Sequence, residues 1–479
     1  MTLHSAQPRL LIGAEWCDAP TAFAVRSPHD DALVANVPLG DAAMLDRAIG
    51  AAHEAYRETR RLPAHARAAV LHRAAALIDQ RREALAATIV AEAGKPLVLA
   101  EAEVQRAVDT FTVAAEEARR MPSGEVLAVD AFAGGEGHVG LVRRFPVGVV
   151  YGVTPYNFPL NLVAHKLAPA LASGNTIVIK PSPRTPLSAL ALAAIVREAG
   201  ALPGQVNVVT CPTEAISAPL SDPRVQVFSF TGSAAVGWAL RARATVRKVV
   251  LELGGNAAVI VHDDADLDTA VPLIATGAFA NAGQSCISVQ RMLVHAAVYE
   301  AFRAKLLAHV QARIRTGDPA RRDVLVGPMI DHAALQRALA WVRAAEQAGG
   351  RVLCGGVAEG RCLPPTLLEN VAAAQPLWAE EVFAPVAVLQ RYERFEEALA
   401  AVNASRYGLQ AGVFTRDSAR SYRAFRDLEV GAVLINQVPS FRVEHMPYGG
   451  VKDSGLGREG VRYAMEEMTE PRALLMKLE

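Results

Sequence analysis

Five short apolar runs separated by helical sequence occupy residues 147–261, and this alternation restricts the fold more than any other feature. The runs are VGVVYGV, TIVIK, VNVVTC, VQVFSF and KVVLEL. Short strands that are apolar throughout are buried on both faces, and their alternation with helices is typical of a parallel sheet covered by helices. The sequence therefore predicts an α/β fold, and a second alternation from about 256 to 440 predicts another α/β unit.

The length of the chain and its helical segments indicate more than one domain. At 479 residues the chain exceeds what one hydrophobic core usually supports, so we expect two or three domains. Helical periodicity runs from about 42 to 120, with a helix end predicted at Gly94. After TIVIK, Thr185 is the predicted N-cap of a helix and Pro186 its first residue.

The charge balance and the absence of targeting signals exclude several classes of protein. Lys plus Arg and Asp plus Glu both number 49, so no net field attracts nucleic acid or an anionic membrane. The N-terminal segment has no apolar core of a signal peptide, and no run of about 18 uncharged apolar residues is present. The sequence predicts a cytoplasmic protein without nucleic-acid or membrane partners.

The cysteines are too few and too dispersed for a disulfide framework. They are Cys17, Cys211, Cys286, Cys354 and Cys362. None forms a CxxC pair, so we expect reduced thiols and no structural zinc site. Cys286 lies in the glycine-marked segment NAGQSCISVQR, where a cysteine packs, binds a metal or acts as a nucleophile, depending on its neighbours.

Polar residues follow the predicted strands at the edge where ligands bind in parallel sheets. Ligands of such sheets lie outside the carboxyl ends of the strands, and Asn157, Lys180, Thr231 and Glu252 come at those ends. Glu252 lies in the apolar strand VVLELGGN. Burial of a carboxylate is costly and raises its pKa toward neutrality, which suits a general base.

The other three strand ends have ordinary interpretations as well as functional ones. Asn157 in TPYNFPLN offers an amide, but Asn is also common in turns. Lys180 in IVIKPSPRTP suits the hydroxyls or phosphates of a nucleotide, or is a solvated strand end. Thr231 begins Thr-Gly-Ser before a helix, which lets a ligand approach the helix N-terminus or simply caps it. Singly, none of these residues identifies a site.

The segment GLGREG at residues 455–460 matches the dinucleotide-binding pattern G-x-G-x-x-G. No apolar strand precedes it, and too little chain follows it for a βαβ unit with its acidic residue. We therefore interpret the segment as a loop.

Seven motifs together resemble the aldehyde dehydrogenase superfamily in order and approximate spacing. They are TPYNFP, IVIKPS, FTGS, LELGGN, GQSC, EEVFAP and MPYGGVKDSG. The resemblance extends from IGAEW to EEMTEP, nearly the whole chain. AGQSCISVQR, YGLQAGVFTRD and FRVEHMPYGGVKDSGLGREG are most similar to lactaldehyde dehydrogenase-like and semialdehyde dehydrogenase-like members. The resemblance implies NAD(P)⁺-dependent oxidation of a small aldehyde with no metal required.

The resemblance also implies the aldehyde dehydrogenase fold. This fold has a Rossmann-like nucleotide-binding domain, an α/β catalytic domain and a small β oligomerisation hairpin. The expected boundaries are 1–122 and 145–253 for the nucleotide-binding domain, 254–445 for the catalytic domain, and 123–144 with 446–479 for the hairpin and C-terminal tail. A homodimer or homotetramer is expected.

The catalytic roles come from the motifs that match. The resemblance assigns Cys286 as the nucleophile, Asn157 as the oxyanion stabiliser and Glu252 as the general base. The thiolate adds to the aldehyde to give a thiohemiacetal, hydride leaves to the nicotinamide, and water hydrolyses the resulting thioester.

Cofactor and substrate contacts are implied in the same way. The expected cofactor-binding residues are Lys180, Ser182, Tyr156, Gly232, Ser233, Val236, Glu381 and Phe383. The expected substrate-binding residues are His165, Arg442, His445 and Arg106, which favour an aldehyde with a polar or anionic far end. Pro183 replaces the glutamate that many NAD-preferring relatives carry, and Arg184 follows it, so we expect NADP to be tolerated.

Two other functions use the same fold. A CoA-acylating semialdehyde dehydrogenase uses CoA in place of water, but such relatives generally lack the LELGG glutamate, which is Glu252 here. A non-catalytic structural protein can lose the nucleophile or the base, whereas this chain keeps both. The sequence therefore favours the hydrolytic dehydrogenase.

Overall fold

Fourteen α-helices lie within residues 7–121 and 124–478, the part of the chain that the computed structural model describes. They are α1 (Ala42–Thr59), α2 (Ala64–Gln80), α3 (Arg82–Ala93), α4 (Leu97–Arg120), α5 (Asn161–Ser173), α6 (Leu187–Glu198), α7 (Ala234–Arg243), α8 (Leu267–Phe279), α9 (Tyr299–Arg313), α10 (His332–Gln347), α11 (Pro376–Ala379), α12 (Phe395–Asn403), α13 (Ser418–Asp427) and α14 (Val461–Glu467). None of these helices has both the length and the hydropathy needed to cross a bilayer.

The first sheet contains the apolar runs of residues 147–261. In spatial order its strands are β2 (Glu15–Cys17), β1 (Leu10–Ile12), β9 (Val206–Val208), β8 (Thr176–Lys180), β7 (Val149–Val153), β10 (Val225–Thr231), β11 (Lys248–Glu252) and β21 (Gly455–Leu456). The five central strands are parallel. Their chain order reverses between β7 and β10, which is where doubly wound sheets open a ligand crevice.

The second sheet is also mainly parallel. In spatial order its strands are β14 (Arg351–Cys354), β15 (Thr366–Glu369), β16 (Val386–Tyr392), β13 (Arg291–His295), β12 (Ala258–Val261), β18 (Gln410–Phe414) and β19 (Ala432–Ile435). Only β14 pairs in the antiparallel sense. Each of the two sheets has its own buried core, so the predicted α/β class is confirmed.

The remaining strands form three small antiparallel sheets. The largest joins β22 (Thr469–Lys477), β6 (His138–Pro146) and β5 (Glu125–Leu127), and the two-stranded pairs are β3 (Thr21–Arg26) with β4 (Leu33–Leu39) and β17 (Tyr407–Gly408) with β20 (Val451–Lys452). The expected boundary at 122–123, the first six residues and residue 479 lie outside the described residues. The domain division stays a prediction.

One predicted helix start is wrong by a residue, and the cap comes from elsewhere. The helix after TIVIK begins at Leu187, with Pro186 as its N-cap residue, and no side chain of the cap residue bonds to the first turn. Instead the carboxylate of Glu92, in α3, accepts from the backbone N–H groups of Leu187 and Ser188 at 2.7 and 2.9 Å. By contrast, the stop at Gly94 is confirmed, with φ at +64°.

Most of GLGREG is a loop, as predicted, but its first two residues are a strand. Gly455 and Leu456 pair antiparallel with Glu252 and Leu251 of β11. The segment therefore returns to the edge of the first sheet beside the predicted base.

Candidate active site

The predicted motifs converge in one cleft between the two large sheets. Asn157 follows β7, and Glu252 ends β11 at the carboxyl edge of the first sheet. In the second sheet the motifs lie at the amino ends of the strands: Cys286 precedes β13 and Glu381 precedes β16. The carboxyl edge of one sheet thus faces the amino edge of the other.

A cavity of about 480 Å³ occupies this cleft. Ten of the residues predicted from the sequence line it: Arg106, Tyr156, Asn157, Gly232, Ser233, Glu252, Cys286, Glu381, Phe383 and Arg442. Segments of both large sheets line this cavity. The predicted nucleophile, base and cofactor-binding residues therefore lie around the same cavity.

The other five predicted residues do not line this cavity. Lys180 and Ser182 are buried at the end of β8, and Val236 is exposed in the first turn of α7. His445 is exposed on the loop before Tyr448. His165 is fully buried in α5, so any part it has in substrate binding acts through its neighbours.

The loop that carries Cys286 has an unusual backbone conformation. Asn281, Ala282 and Gly283 all have positive φ, at 54°, 54° and 62°. Non-glycine residues rarely adopt this region, and the strain persists only where the surroundings fix it. Here the Gln284 side chain fixes the loop, because its amide donates to the carbonyl of Asn281 and its oxygen accepts from the backbone N–H of Ile330.

The half-buried thiol of Cys286 faces a hydroxyl and lies beside a side-chain amide. Its Sγ lies 3.0 Å from the Oη of Tyr448. Burial raises the pKa of Cys286 to about 12, although the Tyr448 hydrogen bond lowers it in part. Asn157 donates one N–H to the carbonyl of Gln284 at 3.0 Å, which leaves its second N–H for an oxyanion.

Glu252 is a buried carboxylate without a hydrogen bond. Neither of its oxygens has a partner among the described residues. Burial raises its pKa well above the usual value, and the charge of Glu459 raises it further. A carboxylate of this kind gains from taking up a proton, which is the property required of a general base.

A charged pair near Glu252 was not predicted from the sequence. Lys166 in α5 donates to Glu459 and to the hydroxyl of Ser229, at 2.9 Å in both cases. Both charged side chains are buried, and Glu459 lines the cavity. Glu459 belongs to GLGREG, and the available signal in the sequence was Lys166 within the mostly apolar helix α5.

Glu381 shows why two glycines follow Glu252. The carboxylate of Glu381 accepts from the backbone N–H of Gly255 at 2.9 Å, and burial raises its pKa to about 7. A Cβ on Gly254 would overlap this carboxylate, and a Cβ on Gly255 would overlap the carbonyl of Cys286. A larger residue at 254 would displace the Glu381 side chain, and one at 255 would displace the backbone of Cys286.

The wall of the cleft beside α7 offers unpaired polar groups at a helix N-terminus. The hydroxyl of Thr231 is buried without a partner among the described residues, and the N-cap side chain of α7, Ser233, makes no capping bond. Burial lowers the pKa of the nearby strand-end lysine, Lys180. Free backbone N–H groups, a hydroxyl and a buried amine fit the phosphates and ribose of a dinucleotide.

One end of the cavity, beside Tyr448, carries a buried guanidinium. Arg442, whose side chain is 4% exposed, stacks on the ring of Tyr448 at 3.7 Å. Its Nη2 lies 3.1 Å from His165 Nδ1, and its Nε has no partner among the described residues. Its closest carboxylate oxygen, on Glu459, is 3.9 Å away. The guanidinium is therefore held in place without a close counter-ion.

A second carboxylate, Glu444, neutralises the groups around Arg442. It contacts His165 Nε2 at 2.6 Å, Arg106 Nε at 2.7 Å and the hydroxyl of Thr110 at 3.3 Å. Burial alone would raise the pKa of Glu444, but His165, Arg106 and Arg442 together lower it well below the usual range.

Comparison with known proteins identifies the whole architecture. The sequence model of the aldehyde dehydrogenase family matches residues 16–474. The aspartate-semialdehyde dehydrogenase 1 of Pseudomonas canavaninivorans is 43% identical over 95% of this chain and 96% of its own length. The 3-sulfolactaldehyde dehydrogenase of Priestia aryabhattai is 40% identical over 98% of both chains.

A solved structure shows the same fold. The crystal structure of aldehyde dehydrogenase 21 from Physcomitrella patens, in complex with its reaction product succinate, superposes with a TM-score of 0.96. The two sequences are 40% identical, and the match covers 98% of each chain. The fold expected from the seven motifs is confirmed.

Proposed function

Because the chain belongs to the aldehyde dehydrogenase family, we propose that it oxidises a small aldehyde with an anionic far end to the acid. NAD(P)⁺ is the oxidant. The observation that carries the substrate proposal is Arg442, a buried guanidinium in the cavity wall whose Nε lacks a partner among the described residues. A carboxylate, sulfonate or phosphate on the substrate supplies the missing acceptor, because an Arg fork pairs with such groups through parallel hydrogen bonds.

The distance between cation and nucleophile limits substrate length. Only the side chain of Tyr448 separates them: Arg442 stacks on its ring, and its hydroxyl reaches the Sγ of Cys286. The aldehyde carbon and the anionic group therefore lie a few bonds apart. The names of the similar enzymes, for aspartate semialdehyde and 3-sulfolactaldehyde, and the succinate bound to the Physcomitrella patens enzyme support this class.

The cysteine starts the reaction from its protonated state. The raised pKa of Cys286 means that the thiol loses its proton as sulfur adds to the carbonyl; this proton leaves to solvent, so the Glu252 carboxylate stays available for the hydrolytic step. The oxyanion of the thiohemiacetal accepts from the free N–H of Asn157 and from a backbone N–H. Donors of this kind contribute about 2.7–4 kcal/mol each to the transition state.

Two-electron oxidation then gives a thioester on Cys286. NAD(P)⁺, when bound, supplies this oxidation by accepting the hydride. Lys180, Ser182, Gly232, Ser233 and Glu381 would hold the nucleotide, with Tyr156, Val236 and Phe383 along its cleft. Glu252 next takes a proton from water, which attacks the thioester and releases the acid.

The assembly, the location and the domain roles belong to the same proposal. We expect a cytosolic homodimer or homotetramer. The sheet of β22, β6 and β5 would be the oligomerisation unit, because apolar side chains such as Leu474, Leu475 and Met476 are exposed on it. The first large sheet would bind the nucleotide, and the second would carry the nucleophile.

A substrate panel tests the proposal. NAD(P)H formation is measured for succinate semialdehyde, glyceraldehyde 3-phosphate and lactaldehyde against neutral alkanals of matched length. We expect kcat/KM to be highest for the anionic aldehydes, without added CoA. Equal preference for hexanal would contradict the anionic class, and an absolute need for CoA would favour the acylating reaction. No turnover of any aldehyde would favour a structural protein.

A further inference from the structure

Two histidines lie side by side at the edge of the second sheet opposite to the active site. His262 follows β12, and His295 ends β13. These strands are parallel with Val261 opposite Val294, so the histidines are the next pair in register. Their rings are 4.7 Å apart. Since Cys286 precedes β13, this carboxyl edge is separate from the catalytic cleft.

The outer ring nitrogen of His262 can carry a lone pair. The hydroxyl of Tyr392 lies 2.7 Å from His262 Nδ1 and 3.4 Å from the carbonyl of Val261. In the tautomer that donates Nδ1–H to this hydroxyl, Nε2 carries the lone pair that a metal ion requires.

Nε2 of His262 lies near a carboxylate. It is 3.4 Å from Oδ1 of Asp263. In the tautomer with the lone pair on Nε2, two acceptors lie at this distance, and a cation between them would be bound by both. The neighbouring carboxylate, Asp264, is already bonded to Thr415 and Arg420. Of these two aspartates, Asp263 is therefore the one available to a ligand.

His295 completes a set of three. The ligand atoms of His262, Asp263 and His295 all lie within 4.8 Å of one another. The only other contact of the His295 ring nitrogens is a 3.2 Å hydrogen bond from the backbone N–H of Ala297, within the described residues. Metal coordination by either ring nitrogen of His295 replaces this hydrogen bond, because Nδ1 accepts in it and Nε2 then carries the ring proton.

We propose that His262, Asp263 and His295 bind one divalent ion of the zinc class, with water as the fourth ligand. Two imidazoles and a carboxylate are a common zinc donor set, with bonds of about 2.0–2.2 Å. The 3.4 Å between Nε2 and Oδ1 is already the edge of such a tetrahedron. Tyr392 is the second-shell partner that fixes the His262 ring. The ion links the ends of two strands and takes no part in aldehyde oxidation.

Metal titration of the purified full-length protein tests this site. After treatment with a chelator and its removal, Zn²⁺ is titrated by calorimetry, and Co²⁺ is added as a spectroscopic probe of geometry. We expect one ion per chain, tetrahedral Co²⁺ bands without a thiolate charge-transfer band, and a higher Tm with Zn²⁺, since binding favours the folded state.

Variants separate the site from other ligands. His295→Ala and Asp263→Asn should each weaken Zn²⁺ binding by about tenfold or more, and Tyr392→Phe by roughly 10–100-fold. His309→Ala, on α9 and outside the cluster, is the matched control and should bind normally. Aldehyde oxidation should be unchanged in His295→Ala and Asp263→Asn, because the cleft lies at the other sheet edge.

Three results overturn the proposal. They are absence of saturable Zn²⁺ binding by the wild type, equal binding in both ligand variants, or a Co²⁺ spectrum with thiolate character, which would assign the ion to a cysteine. If His295→Ala does not fold, Asp263→Asn decides, because Asp263 is half exposed and the asparagine keeps its shape.

Discussion

Glu252 and Glu444 are both buried carboxylates near the same cavity, yet their surroundings are opposite. Glu252, beside the nucleophile, has no hydrogen-bond partner among the described residues. Glu444, at the cationic end, contacts His165, Arg106 and Thr110. The pKa of Glu252 is raised by burial, whereas the pKa of Glu444 is lowered by its cationic neighbours despite burial.

The difference separates reacting groups from positioning groups. A buried carboxylate without partners costs several kcal/mol in its ionised form, so its position calls for a role in proton transfer. A carboxylate with three partners instead fixes those partners in one geometry. In the proposed function, the surroundings of Glu252 are the reacting end of the cavity and are electrostatically unsatisfied, whereas the surroundings of Glu444 are the binding end and are held by its contacts.

Loss of the nucleophile should have the largest effect at the reacting end. Cys286→Ala should lower kcat by roughly 10⁴-fold or more, as for other catalytic nucleophiles, while nucleotide binding and Tm stay unchanged. Cys286→Ser should be nearly as inactive, because a hydroxyl is a weaker nucleophile. Cys354→Ala, outside the cavity, is the control. Substantial oxidation by Cys286→Ala would remove the basis for the comparison.

Glu252→Gln should stop the reaction after oxidation. An amide cannot take a proton from water, so kcat should fall by about 10²–10⁴-fold. If hydride transfer remains competent, rapid mixing should show a burst of NAD(P)H, and intact mass should show a thioester on Cys286. Normal steady-state turnover would show that another group is the base.

The pH profile should distinguish the two carboxylates directly. Glu252 is active only when ionised, and its pKa is raised. Below that pKa, kcat should fall about tenfold per pH unit, and this acid limb should begin closer to neutral pH than for an ordinary glutamate. The limb should vanish in Glu252→Gln and persist in Glu444→Gln, because Glu444 stays ionised throughout that range. A limb that moves only in Glu444→Gln would reverse the two roles.

Arg442→Ala should affect anionic aldehydes more than neutral ones. We expect kcat/KM for anionic aldehydes to lose about 1.5–3 kcal/mol, the contribution of hydrogen bonds to a charged group. Neutral alkanals should lose less, and their loss should come from the Arg442 charge, which also lowers the pKa of Glu252 and of Cys286. His445→Ala, an exposed position on the same loop, is the matched control. An equal loss for neutral substrates would show that Arg442 supports the fold of the site and not the substrate anion.

The smallest expected effect concerns the cofactor. Arg184, next to the expected ribose site, pairs with Asp331 at 2.7 Å on the surface. Exposed pairs contribute less than about 1 kcal/mol, so Asp331→Asn should raise kcat/KM for NADP relative to NAD by a few fold. The wild type should use both cofactors. An NAD preference above about a thousandfold, roughly 4 kcal/mol, would contradict this.

The sequence predicts those features that depend on local pattern. The apolar runs specify the parallel sheet, and the rule that ligands lie at strand ends places Asn157 and Glu252 in the cleft. The helix stop at Gly94 also follows from local chemistry. In each case a few neighbouring residues determine the result.

Features that depend on the docking of distant segments could not be predicted. Arg106 and Glu444 are 338 positions apart, and Lys166 and Glu459 are 293 positions apart. A salt bridge between residues so far apart leaves no periodic pattern in the sequence. The cap that Glu92 gives to α6 has the same origin, since the local signals at the helix start pointed to a different residue.

The close approaches at Gly254 and Gly255 have a consequence for redesign of this protein. The two positions are adjacent in the chain, yet a methyl group at the first meets Glu381 and one at the second meets the Cys286 carbonyl. If Glu381 holds the nucleotide as proposed, alanine at 254 would change cofactor affinity, whereas alanine at 255 would change the rate of acylation. Two adjacent positions would thus alter two separate properties, and shortening Glu381 would make room for a larger side chain at 254.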